Sequence, residues 1–249
     1  MTSPVIQKFT PCPILYDANA VIALDKPEGL LTHPNPGHEA GDKKAVFSGA
    51  YDFESRSFEI PGARIWLIHR LDQDTSGVLL AARSGAMAAK LRLLFEEDKI
   101  RKGYTALVSG RVTPPKGAWQ DALVSQKKGS KIRSRIMPSG RPNARLRYTV
   151  KGSYPRQALS LLSIDLITGK THQIRVQAAW RRHPVAGDEI YGNFSLNREW
   201  KKTLNLRRLF LHASTLEFKH PATEEAIRIE SPLPEKLQSV LTYLENSRR

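Results

Sequence analysis

The chain contains one cysteine, Cys12. No internal disulfide can form, and a cysteine-rich zinc site is excluded. Seven histidines (His33, His38, His69, His172, His183, His212 and His220) are scattered, and none forms an i, i+4 pair or an HExxH helix. No metal site is expected. Long apolar runs are missing too: no stretch approaches the ~20 apolar residues that a membrane helix needs. Residues 1–13 carry one lysine, no apolar core and no small-residue cleavage site, so they do not read as a secretory signal. A cytoplasmic protein with no membrane attachment is expected. Repeats, low-complexity blocks and Gly/Ser linkers are also absent. The 249 residues therefore read as a lead-in, 1–12, and a single domain, 13–249.

Negative charge is scarce. Lys and Arg number 39 against 24 Asp and Glu, a formal net of +15. Such an excess favours a polyanionic partner, because each neutralised phosphate releases condensed counterions. Part of it is concentrated: Lys127, Lys128, Lys131, Arg133, Arg135, Arg141, Arg145 and Arg147 occur with no acidic residue among them. Clustered like charges are costly unless a polyanion is near, so 127–147 reads as an RNA-backbone contact in preference to a solvated loop. Trp180, followed by Arg181, Arg182 and His183, fits either a base-stacking site or a core position on its helix.

Residues 14–16 and 20–24 predict two short strands about a turn at 17–19. An irregular segment with Pro27, Pro34, Pro36 and Gly37 follows; a long loop in a compact domain is usually functional or mobile. Residues 64–68 and 78–82 predict strands on either side of HRLDQDTSG, 69–77. Ser84 is placed to cap a helix whose Met87, Leu91, Leu94 and Phe95 share one face. Lys102 to Ser109 predicts a strand with Tyr104, Ala106 and Val108 on one side. Short strands are expected through 119–166, a helix from Thr171 as its N-cap to about Arg182, strands near 208–218 and 226–230, and a last helix capped by Ser231. Strands without regular βαβ alternation argue for an α+β fold with a mainly antiparallel sheet.

HRLDQDTSG holds the main chemical candidate. Asp72 can be a nucleophile, a general base or a turn cap, whereas Asp74, Thr75, Ser76 and Gly77 are typical turn formers. Paired with Asp74, Asp72 also fits the two carboxylates of glycoside hydrolysis, but two positions on a loop do not set their separation. Gly169-Lys170-Thr171 falls short of a phosphate-binding loop because Ile164 stands where its first glycine is required. What remains there is a helix start with Lys170, His172 and Arg175 nearby, suited to an anion or a carboxylate.

Taken in order, these motifs resemble the RluA-type RNA pseudouridine synthases along nearly the whole chain. Asp25-Lys26-Pro27-Glu28-Gly29-Leu30-Leu31 with His33-Pro34 is similar to the first signature of that family, and His69-Arg70-Leu71-Asp72 with Thr75-Ser76-Gly77 to the second. Lys102-Gly103-Tyr104 matches the strand bearing the family's active-site tyrosine. Thr168 to Val176 matches the third signature, and His183 to Asp188, Tyr191-Gly192, Leu211-His212-Ala213 and Phe218 to Pro221 follow.

The resemblance implies a pseudouridine synthase fold: a mainly antiparallel mixed sheet flanked by helices and loops, with the active-site cleft on the sheet. It implies isomerisation of uridine in rRNA, tRNA or both, after the base is flipped from its stack. Asp72 would be the nucleophile, Tyr104 would assist proton transfer, and Arg175 would pair with the aspartate. RNA contacts are expected from Arg70, His69, Thr75, Lys170, His172, Lys127, Lys128, Lys131, Arg133 and Arg135. The reaction requires no cofactor or metal, and a monomer is expected. Two departures bear on local RNA contacts: many members have Arg in place of Lys170 and His in place of Gln177. With the first signature at Asp25, no room is expected for the small N-terminal RNA-binding domain of some relatives, so targeting would fall to the catalytic domain. The alternative is a non-catalytic RNA-binding protein or RNA chaperone on the same fold. The joint presence of Asp72, Tyr104 and Arg175 weighs against it.

Overall fold

The structure, a computed structural model, describes residues 4–37, 44–128 and 131–247; side chains of 4, 5, 127, 128, 131 and 132 are outside the description. His38 lies outside the described residues. In chain order the first elements are α1 (Pro4–Gln7), β1 (Ile14–Ala18), β2 (Val21–Lys26), β3 (Ala50–Asp52), β4 (Ser57–Ile60), β5 (Ala63–Leu67), β6 (Ser76–Ala82) and α2 (Gly85–Glu96). Then come β7 (Arg101–Ser109), β8 (Lys116–Asp121), β9 (Leu123–Lys128), β10 (Lys131–Ile136), β11 (Ala144–Tyr154), β12 (Leu159–Leu166), α3 (Gln173–Trp180) and α4 (Phe194–Thr203). The chain closes with β13 (Leu211–Lys219), β14 (Ala226–Glu230) and α5 (Glu235–Asn246). This is an α+β fold.

Two compact units share the chain: Met1–Arg101 with Ala213–Pro232, and Lys102–His212 with Leu233–Arg249. In the first, the strand order is β3-β4-β5-β6-β13, with β2 on β6, β1 on β2, and β14 on β13. β1 and β2 pair antiparallel around a turn at Asn19 and Ala20, both at positive φ; the turn expected at 17–19 falls later because Asp17 and Ala18 are still paired with Ile22 and Val21. β6 is buried along its whole length, so it reads as a continuous apolar run without alternation. Val78, Leu80 and Ala82 meet Met87, Ala88 and Leu91 of α2 in one core. Ser84 caps α2 by accepting the Met87 N–H at 3.2 Å.

In the second unit the order is β7-β12-β11-β8, beside a separate β9–β10 hairpin. β12 has two faces: Leu162, Ile164 and Leu166 enter one core with Ala106 and Val108 of β7, whereas Leu159 and Leu161 enter another with Leu237 and Val240 of α5.

Two expected caps are corrected. α3 begins at Gln173, with His172 as N-cap in the left-handed region and no side-chain capping bond. The Thr171 carbonyl instead accepts the Ser134 hydroxyl at 2.7 Å. Likewise α5 starts after Pro234, without a side-chain cap, and Ser231 donates to Asp25 Oδ1 at 2.7 Å. At Ser231 a tertiary hydrogen bond takes up the side chain expected to cap; at Thr171 the tertiary bond is to the backbone carbonyl. The β3–β4 hairpin lies inside the segment expected to be irregular, and α4 had no counterpart in the sequence reading.

Cys12 is fully buried. Burial outweighs the hydrogen bond from Thr10 and pushes its thiol up to about 11, leaving little thiolate at neutral pH. Iodoacetamide is expected to label Cys12 only in denaturant; fast labelling of the native protein, followed by mass spectrometry, would contradict this burial.

Candidate active site

The Asp72 loop joins β5 to β6 and is held from one side by the segment that follows β2. Thr32 grips Leu71 twice: its hydroxyl donates to the Leu71 carbonyl at 2.8 Å and accepts the Leu71 N–H at 3.1 Å. Gln73 is gripped more heavily. Its carbonyl accepts Lys26 Nζ at 3.0 Å and the Gly29 N–H at 2.8 Å, and its side-chain amide donates to the Gly29 carbonyl at 3.0 Å. Lys26 is fully buried, and its ammonium also donates to the Pro27 carbonyl at 2.9 Å, which offsets part of the cost of taking its charge out of water. Both neighbours of Asp72 are therefore fixed, while Asp72 itself is half-buried.

Downstream, the Thr75 N–H closes a turn onto the Asp72 carbonyl at 3.1 Å. Gly77 sits at φ +117°, and a Cβ there would lie 2.1 Å from the Ala213 carbonyl oxygen, so only glycine permits this backbone approach. Thr75 is buried at 2 % exposure, and its hydroxyl has no hydrogen-bond partner among the described residues. His69 accepts the Leu80 N–H through Nε2 at 3.0 Å and stacks on Phe95. Arg70 is exposed. Burial and the nearby charge of Arg70 push the His33 imidazole below its usual value, against the Pro34 carbonyl that it bonds.

Tyr104 and Arg175 belong to the second unit. Tyr104 is half-buried on β7, packed on the core containing Ala106 and Val108. Arg175 is 2 % exposed and makes a two-pronged ion pair with Asp188, Nε to Oδ2 at 2.7 Å and Nη2 to Oδ1 at 2.9 Å. Asp188 Oδ1 also accepts the N–H groups of Ile190 at 2.8 Å and Tyr191 at 3.0 Å. Burial alone would raise the Asp188 carboxyl, but Arg175 and these N–H donors outweigh it and hold it below the ordinary carboxylate value. The pair is made possible by Gly187 at φ +77°, where a Cβ would lie 2.0 Å from the Arg208 carbonyl oxygen.

Tyr191 links this pair to the hairpin. Its ring lies 5.4 Å from the Arg175 guanidinium. Its hydroxyl accepts the Ser134 N–H of β10 at 2.8 Å and is hydrogen-bonded to His172 Nδ1 at 2.9 Å. Gln173 and Gln177 form a buried polar chain: Gln173 Oε1 accepts the Lys170 N–H at 3.0 Å, its Nε2 donates to Gln177 Oε1 at 3.1 Å, and Gln177 Nε2 donates to Asp121 Oδ2 at 2.6 Å. Gln177 is fully buried, which corrects the expectation that its departure alters RNA contacts. Lys170 is exposed.

On β10, Arg133 and Arg135 are exposed while Ser134 and Ile136 between and beyond them are buried. The side chains of Lys127, Lys128 and Lys131 lie outside the described residues; their backbones are strand. Arg141, Arg145 and Arg147 are exposed, and Arg147 is 3.9 Å from Asp165. Trp180 is 55 % exposed, so it is no core residue. Among the described residues no group of three or more His, Cys, Asp or Glu could hold a metal ion, and no helix is long and apolar enough to cross a membrane.

The sequence matches the RNA pseudouridylate synthase family over residues 20–180, a span that includes Asp72, Tyr104 and Arg175. The chain belongs to the RluA-type RNA pseudouridine synthases. It is 36 % identical over 253 residues to ribosomal large subunit pseudouridine synthase C of Escherichia coli (strain K12), covering 99 % of this chain and 75 % of the relative. An uncharacterized RNA pseudouridine synthase of Bacillus subtilis (strain 168) is 32 % identical over 238 residues, covering 96 % and 74 %. The fold is shared with human RNA pseudouridylate synthase domain containing 4, at a TM-score of 0.68 and 23 % identity over 96 % of this chain and 94 % of that one. The chain is therefore an isomerase that acts on RNA.

The sequence reading of this synthase missed Asp188 as the partner of Arg175, and Thr32, Lys26 and Gln73 as the hold on the Asp72 loop. Asp188 and Lys26 stand in quoted motifs, and their charge was the available signal. Asp188→Asn removes the carboxylate that pairs with a buried guanidinium and is expected to cost about 3–5 kcal/mol at neutral pH. Because the folded carboxyl is held below its ordinary value, the wild-type stabilisation is present above about pH 4 and is lost as pH falls through the lowered value. Urea unfolding across pH measures both, and an Asp188→Asn protein with wild-type stability would contradict the pairing. Thr75→Val keeps the shape and removes an unpartnered buried hydroxyl, so a gain of about 1 kcal/mol is expected. A destabilised variant would show that the hydroxyl is bonded.

Proposed function

We propose that this synthase isomerises specific uridines of ribosomal RNA, with Asp72 as nucleophile. The observation that carries the assignment of Asp72 is the double hold on Leu71 and Gln73, which fixes the backbone on both sides of that carboxylate. The names of relatives that act on the large ribosomal subunit support the choice of RNA. Residues 13–249 work as one catalytic domain, as a monomer in the cytoplasm.

In this scheme the target nucleotide leaves its stack, and Arg70 occupies the space it vacates. The Asp72 carboxylate attacks C1′ as the bond to N1 breaks. The freed uracil turns, C5 bonds to C1′ and the carboxylate is released. The proton lost from C5 is balanced by one gained at N1, with Tyr104 assisting the transfer. Arg175, a cation held by Asp188, is the proposed charge partner of Asp72. No oxidation or net hydrolysis occurs, so the scheme draws on neither metal nor cofactor. Lys127, Lys128, Lys131, Arg133, Arg135, Lys170 and His172 contact the RNA, whereas His69 and Thr75 act on it by shaping the loop.

Total RNA from a strain lacking the gene, incubated with the protein and mapped chemically for pseudouridine, tests this directly. Wild type is expected to modify defined uridines of large-subunit ribosomal RNA, and Asp72→Asn none, with RNA affinity retained. Equal modification by both proteins, or modification confined to transfer RNA, would overturn the nucleophile or the substrate respectively.

A further inference from the structure

α4 has two unlike faces. At 3.6 residues per turn, Leu196, Trp200 and Leu204 fall on one side and pack into the core with Leu206 and Phe210. The opposite side presents Phe194, Arg198, Lys201 and Lys202, all exposed, with Phe194 at 64 %. Just beyond the helix, Arg207 joins Arg198, Lys201, Lys202 and Asn205 in lining a shallow cavity of about 550 Å³ with no acidic side chain in its wall. Arg207 is preset: its Nε donates to Asn205 Oδ1 at 2.9 Å, and Asn205 adopts the left-handed conformation, φ +52°.

The helix is also firmly seated. Asn193 caps it, accepting the Ser195 and Leu196 N–H groups. Asn197 accepts the Gly187 N–H at 3.0 Å and donates to the Asp188 carbonyl at 2.9 Å, which ties α4 to the segment that holds Arg175.

Lysines in the last turn of a helix suit its dipole, and that alone accounts for Lys201 and Lys202. It leaves unexplained an exposed phenylalanine one turn before Arg198 and an arginine braced beyond the helix end. An aromatic ring in line with cations is the pattern by which proteins take single-stranded nucleic acid, stacking a base and neutralising the adjacent phosphates. The apolar face of α4 is already spent on the core, so the helix has none to insert into a lipid surface.

We propose that α4 and Arg207 form a second RNA-binding surface, which grips a single-stranded stretch of RNA by its phosphates and stacks a base on Phe194. The proposal rests on the enzyme acting on RNA, but not on which RNA or on Asp72.

Binding of labelled oligoadenylate, which offers no uridine to the active site, tests it across a salt series. In a variant carrying Arg198→Gln, Lys201→Gln, Lys202→Gln and Arg207→Gln, the salt slope is expected to flatten by roughly 2–3, at about 0.7 per lost phosphate contact. Affinity at physiological salt should fall roughly tenfold or more. Phe194→Ala should weaken binding roughly fivefold or more while keeping the slope. Both variants should melt with the wild type, because the substituted side chains are exposed. With substrate RNA the loss should fall on KM more than on kcat. Unchanged affinity and slope would overturn the proposal, as would a loss of binding to phosphatidylserine vesicles with RNA binding intact. If oligoadenylate binding falls in the variants while wild type makes no pseudouridine in ribosomal RNA, the surface stands and the proposed substrate fails.

Discussion

Hydrogen bonds to its two neighbours in the chain fix the backbone on both sides of the Asp72 carboxylate, which on an unrestrained loop would sample many positions. The Leu71 and Gln73 backbones are taken up by Thr32, Lys26 and Gly29. Each such bond contributes only about 1 kcal/mol net, so their value is in geometry more than in stability. The first signature of the family thus acquires a physical meaning: it is the hold on the second. Turn closure by Thr75 and the close backbone approach at Gly77 complete the loop from the other side.

A parallel logic governs Arg175. A guanidinium at 2 % exposure would be costly alone, and the paired carboxylate of Asp188 offsets that cost. Asp188 is itself oriented by two backbone N–H groups and by a glycine turn. Tyr191 then connects the pair to β10 and to His172. The basic hairpin and Arg175 are in this way tied together through Tyr191, so Arg133 and Arg135 stand on a strand anchored to a fixed ion pair. α4, fastened to the Asp188 carbonyl through Asn197, extends the same rigid frame.

The elements most legible in the sequence were those whose signal is local. β6 is a run of apolar residues, α2 has both a serine cap and a helical stripe, and the Asp72 loop carries its turn formers in order. The misreadings come where tertiary contacts outweigh local signals. Ser231 has the right chemistry for a cap, but Asp25 takes its hydroxyl from afar, and the N-cap of α3 falls one residue after Thr171, at a left-handed His172. β3 and β4 are three and four residues long, too short for an alternation to register. α4 buries only Trp200, with Leu196 partly covered one turn before it and Leu204 buried just past its end, and its exposed face is so polar that the stripe is easily overlooked. Arg175 was identified, but its partner lies thirteen residues on, and no periodicity announces that pairing.

In the proposed reaction, the position of the Asp72 carboxylate, set by the hold on its neighbours, is what makes it a nucleophile. Single-turnover pseudouridine formation by Asp72→Glu tests this most directly, because glutamate keeps the charge and displaces the carboxylate by one methylene. Intact RNA affinity is expected, with a rate reduced by about 10²-fold or more, the scale expected for a misplacement of ~1 Å. A wild-type rate from the glutamate variant would contradict it.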